Sequence, residues 1–379
     1  MNRPTSRAAG TTRTAARSGP TRHAGRRASP GTAPRATGRT TSRSTASSPD
    51  SRRAARRGSS AAEGSGSTRR RLGGSLARML GVLVVVGVLV AGAWVAVQQV
   101  LPSGPVVVVE RCTATAEGTE HDLAPDQAGN AALITAVAQQ RGLPARAATV
   151  AIATAVQESK LRNIAYGDRD SLGLFQQRPS QGWGTPEQLQ DPVYATNAFY
   201  DVLVQVDGYT DLPITEVAQR VQRSAYPEAY ADHEPEGRAY ASALTGHSPA
   251  ALTCRLRPVT DVSAQAVGED GLWPRASELV ARVHAERGSV PVTPADRGTA
   301  VVLGTAGATG EDAVRSTWST AQWAVAHARD LQVVAVGTEG RQWRRDQPEA
   351  GWAELTGEAA QRLAPPGATV VVVAGGAVE

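Results

Sequence analysis

Hydrophobic positions fall into three patterns along the chain. Met79 to Val97 (MLGVLVVVGVLVAGAWVAV) carries no charge over 19 residues, which as a helix gives about 28 Å, enough to cross a hydrocarbon core. Ala147 to Val156 is apolar on every side except Thr149 and Thr154. It is too short to span a bilayer, so it predicts a helix buried in a soluble core. Helical spacing recurs around it, at 130–141 (Ala131, Ile134, Val137, Ala138), from Pro192 (Tyr194, Ala195, Ala198, Phe199, Leu203), at 214–221 and at 237–244. Gly142 ends the first of these and Pro144 opens the buried helix. Strand signal is weak throughout this part, which predicts a mainly helical domain. Beyond Arg255-Leu256-Arg257-Pro258 the pattern changes. A helix is expected at 272–287, then a polar stretch to Arg297, strands at 300–303, 331–336 and 369–373, a helix at 318–329 and a short segment at 341–345. That alternation predicts a small α+β module.

Charge divides the chain as sharply as hydropathy does. The formal net charge is +5, but residues 1–78 hold 18 of the 40 basic residues, all arginine, against Asp50 and Glu63 alone. The remainder is therefore acidic, and the net charge gives no reason to expect a nucleic-acid partner. Residues 1–75 have almost no large apolar side chains and are expected to be a disordered tail. Arg69, Arg70, Arg71 and Arg78 precede the apolar stretch and no cationic cluster follows it closely. The positive-inside rule then places the tail in the cytoplasm and everything after Val100 outside, with residues 76–100 as a single-pass membrane anchor. Ala91-Gly92-Ala93 offers a signal-cleavage alternative, but the preceding basic region is far too long for one. The two cysteines, Cys112 and Cys254, both fall on the outer side, where a Cys112–Cys254 disulfide is expected. No metal-ligand spacing and no cofactor motif is present.

The buried helix breaks abruptly at Gln157-Glu158-Ser159. Burial and the negative end of the helix dipole both disfavour a charged Glu158. A carboxyl that keeps its proton beside a cleft can give it to a leaving oxygen, as glycosidic cleavage requires. The competing readings are an exposed helix-end glutamate or an i,i+4 pair with Arg162. Asp168 and Asp170, in the turn-like stretch after it, are candidates for a second catalytic carboxylate or simple turn formers.

Gln157-Glu158-Ser159-Lys160-Leu161 followed by Ser171-Leu172-Gly173-Leu174-Phe175-Gln176 resembles the signature of the lysozyme-like (soluble lytic) transglycosylase superfamily. Asp191-Pro192 with Ala195-Thr196-Asn197, and Ser224-Ala225-Tyr226-Pro227, resemble its next two elements, so the likeness covers residues 128–245. Leu172 to Pro186 (LGLFQQRPSQGWGTP) also resembles a group of actinobacterial membrane-anchored or secreted proteins of this type. The resemblance implies that Glu158 protonates the MurNAc–GlcNAc glycosidic oxygen and then acts as base while the MurNAc 6-hydroxyl attacks, giving a 1,6-anhydro product. It implies substrate contacts from Ser159, Gly173, Phe175, Gln176 and Asn197, and an orienting role for Tyr226. Trp183, between Gly182 and Gly184, is a further candidate for stacking on a sugar or for loop packing.

The expected organisation is thus a tail (1–75), a transmembrane anchor (76–100), an extracellular linker (101–127), a mainly α lysozyme-like domain (128–254), a linker with a helix (255–297) and a small C-terminal α+β module (298–379). The expected partners are peptidoglycan glycan strands and the membrane. Gln177-Arg178-Pro179 and Pro227-Glu228-Ala229 depart from the family pattern. They motivate the alternative of a catalytically inactive lysozyme-like module that binds glycan or an envelope or division partner. His327, Trp318, Trp323, Trp343 and Trp352 are expected to be structural.

Overall fold

A computed structural model describes residues 72–100, 108–222 and 227–375. The expected disordered tail therefore lies outside the described residues, apart from its last four positions. The chain divides into two units, Met1–Ala93 and Trp94–Glu379. Helix α1, Leu72–Val100, holds one stretch long and apolar enough to cross a membrane, Ala77–Ala96, with a mean hydropathy of 2.6. Its large apolar side chains from Met79 to Val95 are exposed all along it.

The second unit opens with a hairpin, β1 (Arg111–Ala116) and β2 (Thr119–Leu123). Glu117 and Gly118 both have positive φ, 51° and 77°, the geometry of a two-residue turn that matches the twist of the strands. Helices α2 (Pro125–Gln140) and α3 (Ala145–Ser159) follow, then α4 (Pro186–Gln190), α5 (Pro192–Leu203), α6 (Ile214–Gln222), a 3₁₀ segment at Pro227–His233, α7 (Glu234–Leu244) and strand β3 (Leu252–Arg255). α3 sits at the centre, packed by α2, α5, α6, α7 and the 3₁₀ segment. Every residue from Ala147 to Val156 is buried, as the apolar run requires. Its small side chains admit α7 closely: a Cβ added at Gly237 would stand 2.9 Å from the Thr149 carbonyl oxygen.

β3 returns to pair with β1, giving an antiparallel sheet in the order β2-β1-β3. Cys112 and Cys254 lie directly opposite each other and are joined in a disulfide, closing a loop of 142 residues. Residues 111–123, expected to be linker, are therefore part of the fold. Their alternation is carried by small side chains, with Cys112 and Ala114 inward and Arg111 and Thr113 less buried, which leaves little hydropathy contrast.

The remaining elements are α8 (Pro274–Arg287), β4 (Val292–Ala295), β5 (Ala300–Leu303), α9 (Gly310–Ala326), β6 (Val333–Thr338), β7 (Arg341–Arg344), β8 (Trp352–Glu354), α10 (Gly357–Leu363) and β9 (Thr369–Val373). The strands form one antiparallel sheet, β4-β5-β9-β6-β7-β8. The C-terminal part does not stand apart as the sequence suggested. α9 packs on β6 and β9 and also on α2, α7 and β3, and one buried cluster runs from Cys112 to Val373. Gln322, fully buried on α9, accepts from the Leu252 amide and donates to the carbonyls of Ala243 and Ser248. The indole N–H groups of Trp343 and Trp352 donate to the carbonyls of Cys254 and Leu252, at 3.3 and 2.8 Å. The four tryptophans expected to be structural are all buried. Trp352→Phe keeps most of the apolar contact but strands the Leu252 carbonyl, so it should lower unfolding stability by about 1–3 kcal/mol in denaturant titration.

His327 is also buried. Its Nε2 lies 3.0 Å from Glu286 Oε2, which accepts from the Trp323 indole as well. Burial pushes the Glu286 carboxyl up, but the His327 imidazole and the Trp323 hydrogen bond outweigh it and leave the group below its ordinary value.

Candidate active site

Glu158 occupies the last turn of α3, half-buried. Tyr230 Oη, from the 3₁₀ segment, donates to Glu158 Oε1 at 2.6 Å, and the Gln222 side chain, from the last residue of α6, hydrogen-bonds the same carboxyl. Burial raises the Glu158 pKa above its ordinary value, and these two hydrogen bonds pull it only part of the way back. The helix-end ion pair open to the sequence is not formed: Arg162 instead donates to Asp126 at 2.9 Å. Lys160 and Leu161 both have positive φ, 55° and 56°, and turn the chain sharply away from the helix. Their carbonyls accept from Gln127 and Asn130 of α2, which fixes the turn.

The loop after that turn is held internally. Ser159 is buried. Its hydroxyl donates to the Leu174 carbonyl at 2.7 Å and accepts from the Arg162 amide, so it ties the helix end to the Gly-Leu-Phe-Gln segment and does not face the cleft. Gly173, with φ +76°, is needed for a close approach, but to protein: an added Cβ would lie 2.3 Å from the Leu189 carbonyl oxygen. Phe175 is fully buried and stacked on Phe199 at 4.6 Å. Its carbonyl accepts from Gln222 Nε2 at 2.7 Å. Gln176 folds back to donate to the Gly173 carbonyl at 3.1 Å. Asn197 Oδ1 accepts from Arg141 at 3.0 Å, and its Nδ2 donates to the Val193 carbonyl. Arg141, which caps α2, also donates to Asp201 at 2.6 Å, so Asn197 belongs to a polar cluster joining α2 to α5. Four of the expected substrate contacts (Ser159, Gly173, Phe175 and Asn197) thus shape or support the fold.

Tyr226 lies outside the described residues. Tyr230, four positions later, and Gln222 are the partners that sequence reasoning missed. The repeated Ala-Tyr in Ser224–Ala231 held the signal for the tyrosine; Gln222 had none. Asp168 pairs with Arg169, and Asp170 accepts from Arg178 at 2.8 Å and from the Ser180 amide at 2.8 Å. The Arg178 hydrogen bond, first among these, holds the Asp170 carboxyl far below its usual range.

Gln222 also lines a cleft of about 450 Å³ with Gln181, Gly182, Trp183, Val202, Arg220 and Val221. Trp183 is half-buried, packed against the core on one side and facing this cleft on the other. Arg220 is paired with Glu216. Gln222 therefore joins a raised-pKa carboxyl to a groove carrying an aromatic ring and a cation. Among the described residues no three His, Cys, Asp or Glu side chains converge as a metal site. Removing the Tyr230 hydroxyl takes away a bond that favours the charged form. Tyr230→Phe should raise the Glu158 pKa further, visible as an upward shift in its carboxyl titration by NMR.

No family model matches the chain, and no curated protein matches it.

Proposed function

We propose that the protein is a membrane-anchored peptidoglycan-cleaving enzyme with a lysozyme-like domain, in which Glu158 is the single catalytic acid and base of a lytic transglycosylase. The observation that carries this reading is Glu158 itself: a half-buried carboxyl at the end of the central helix, its pKa raised by burial, oriented by Tyr230 and linked through Gln222 to the Trp183 cleft. A raised-pKa acid holds the proton that a glycosidic oxygen must receive. The commitment of Asp170 to Arg178 favours a one-carboxylate mechanism, since a hydrolase commonly needs a second acid. Trp183 offers a face for a sugar ring, and Arg220 a charge for a carboxylate-bearing one. Helix α1 is the anchor, the arginine-rich tail is cytoplasmic, and the disulfide-bearing unit faces the wall, which fits the positive-inside pattern and the oxidised cysteines.

The second reading, a module that binds glycan without turnover, is favoured by the internal commitment of Ser159, Phe175 and Asn197. Digestion of purified sacculi by the full chain separates the readings. Muropeptides ending in 1,6-anhydro-MurNAc support the transglycosylase, reducing MurNAc ends point to hydrolysis, and glycan retention without release supports the binding module.

A further inference from the structure

A second pocket lies at the seam between the helices around α3 and the C-terminal part, and neither Glu158, Tyr230, Gln222 nor Trp183 lines it. It has a volume of about 240 Å³. Its walls come from the end of α2 (Gln139, Gln140), the residue after α7 (Thr245), the last residue of α8 (Arg287) and the first turns of α9 (Asp312, Arg315, Ser316). Arg287 is the unusual member. It makes no ion pair among the described residues, because the adjacent Glu286 carboxylate is taken up by His327, Trp323 and Arg282. Its Nη1 donates to Ser319 Oγ at 3.2 Å and, at a longer 3.4 Å, to Gln139 Oε1, while its Nε is buried without a partner. Desolvation pulls its pKa down to about 10, and the neighbouring Glu286 carboxylate restores only part of the loss. Arg315 brings a second cation, and the one acid in the wall, Asp312, is already paired with it at 3.1 Å.

Arg287 is half-buried and without an ion pair of its own, and a guanidinium so placed is under-compensated until an anion completes it. Its planar fork suits the two oxygens of a carboxylate or a phosphate. We propose that this pocket is a binding site for a small oxyanion, a carboxylate or phosphate group, gripped by Arg287 and Arg315 with the Gln139 and Gln140 amides and the Ser316 hydroxyl beside it. Bound there, the anion bridges α2, α8 and α9 and stabilises the joint between the two halves of the unit. The proposal does not depend on the glycan-cleaving reading.

The test is thermal unfolding of the full chain in a non-ionic detergent, with millimolar acetate or phosphate set against chloride at equal ionic strength. A ligand that binds only the folded state raises the midpoint by mass action. The wild-type midpoint should rise with at least one of the two oxyanions, and which one identifies the ligand as a carboxylate or a phosphate. Arg287→Met should lose the rise. Gln140→Glu, a change at the exposed mouth that leaves the core alone, should weaken apparent affinity about tenfold through like-charge repulsion. If Arg287→Met fails to fold, Gln140→Glu decides. No rise with either oxyanion, or a rise of equal size in the variants that fold, would overturn the proposal.

Discussion

Glu158→Gln should lower the rate of glycan cleavage by about 10²–10⁴-fold, the usual contribution of a positioned acid–base group, while raising the stability of the fold at neutral pH. The two effects have one origin. The folded pKa of Glu158 lies above the ordinary carboxylate value near 4.5, so the native state holds its proton more tightly than the unfolded chain does. The favourable contribution is fully present below the unfolded value and is lost as pH rises through the folded one. Glutamine keeps an acceptor for Tyr230 Oη and never becomes charged. Wild type and variant should therefore have similar midpoints in acid, and the variant should pull ahead as pH climbs to neutrality. Denaturation midpoints across the pH range, measured beside the rates, check both halves. A variant less stable than wild type at neutral pH would mean that the carboxylate is satisfied where it sits, and the case for a proton donor would fail.

Replacing Cys112 and Cys254 together by alanine should lower unfolding stability by about 3–5 kcal/mol. The bridge closes a loop of 142 residues, for which the chain-entropy argument gives about 5 kcal/mol as an upper figure. The sites are directly opposed on neighbouring strands, and both side chains are buried, so alanine avoids placing a hydroxyl in the core. The loss should also spread beyond the sheet. β3 provides the carbonyls that receive the Trp343 and Trp352 indoles, and Gln322 holds its first amide. Guanidinium titrations of the variant and of reduced wild type should give the same lowered midpoint. An unchanged midpoint would mean that the strand pairing alone fixes this end of the fold.

The central helix was legible in the sequence because a run from Ala147 to Val156 with two polar interruptions has nowhere to go but the core. The abrupt change at Gln157-Glu158 singled out Glu158 as a candidate for the same reason. The two cysteines gave their own pairing once they were read as extracellular. The partners of Glu158 were not legible. Gln222 and Tyr230 reach it only after α6 and the 3₁₀ segment have folded across the end of α3, and no local pattern encodes that meeting. Ser159, Gly173 and Phe175 were legible as special positions, but their spacing does not distinguish a contact with sugar from a contact with protein. The Leu189 carbonyl and the Phe199 ring are what they meet. The joint of the C-terminal part with the helices was not legible because it is built from polar side chains, Gln322 and Ser319 on α9. Those positions look like a solvated face in the sequence and are fully buried in the fold. α9 itself begins at Gly310, eight residues before the expected start at Trp318, because its first turns are polar and largely uncovered.

Parallel digestion of purified sacculi by the full-length wild type and by Glu158→Gln, each verified as folded, tests the central claim most directly. The wild type should release soluble muropeptides carrying 1,6-anhydro ends, and the variant almost none. Equal release by both proteins, or none from the wild type at any pH, would contradict it.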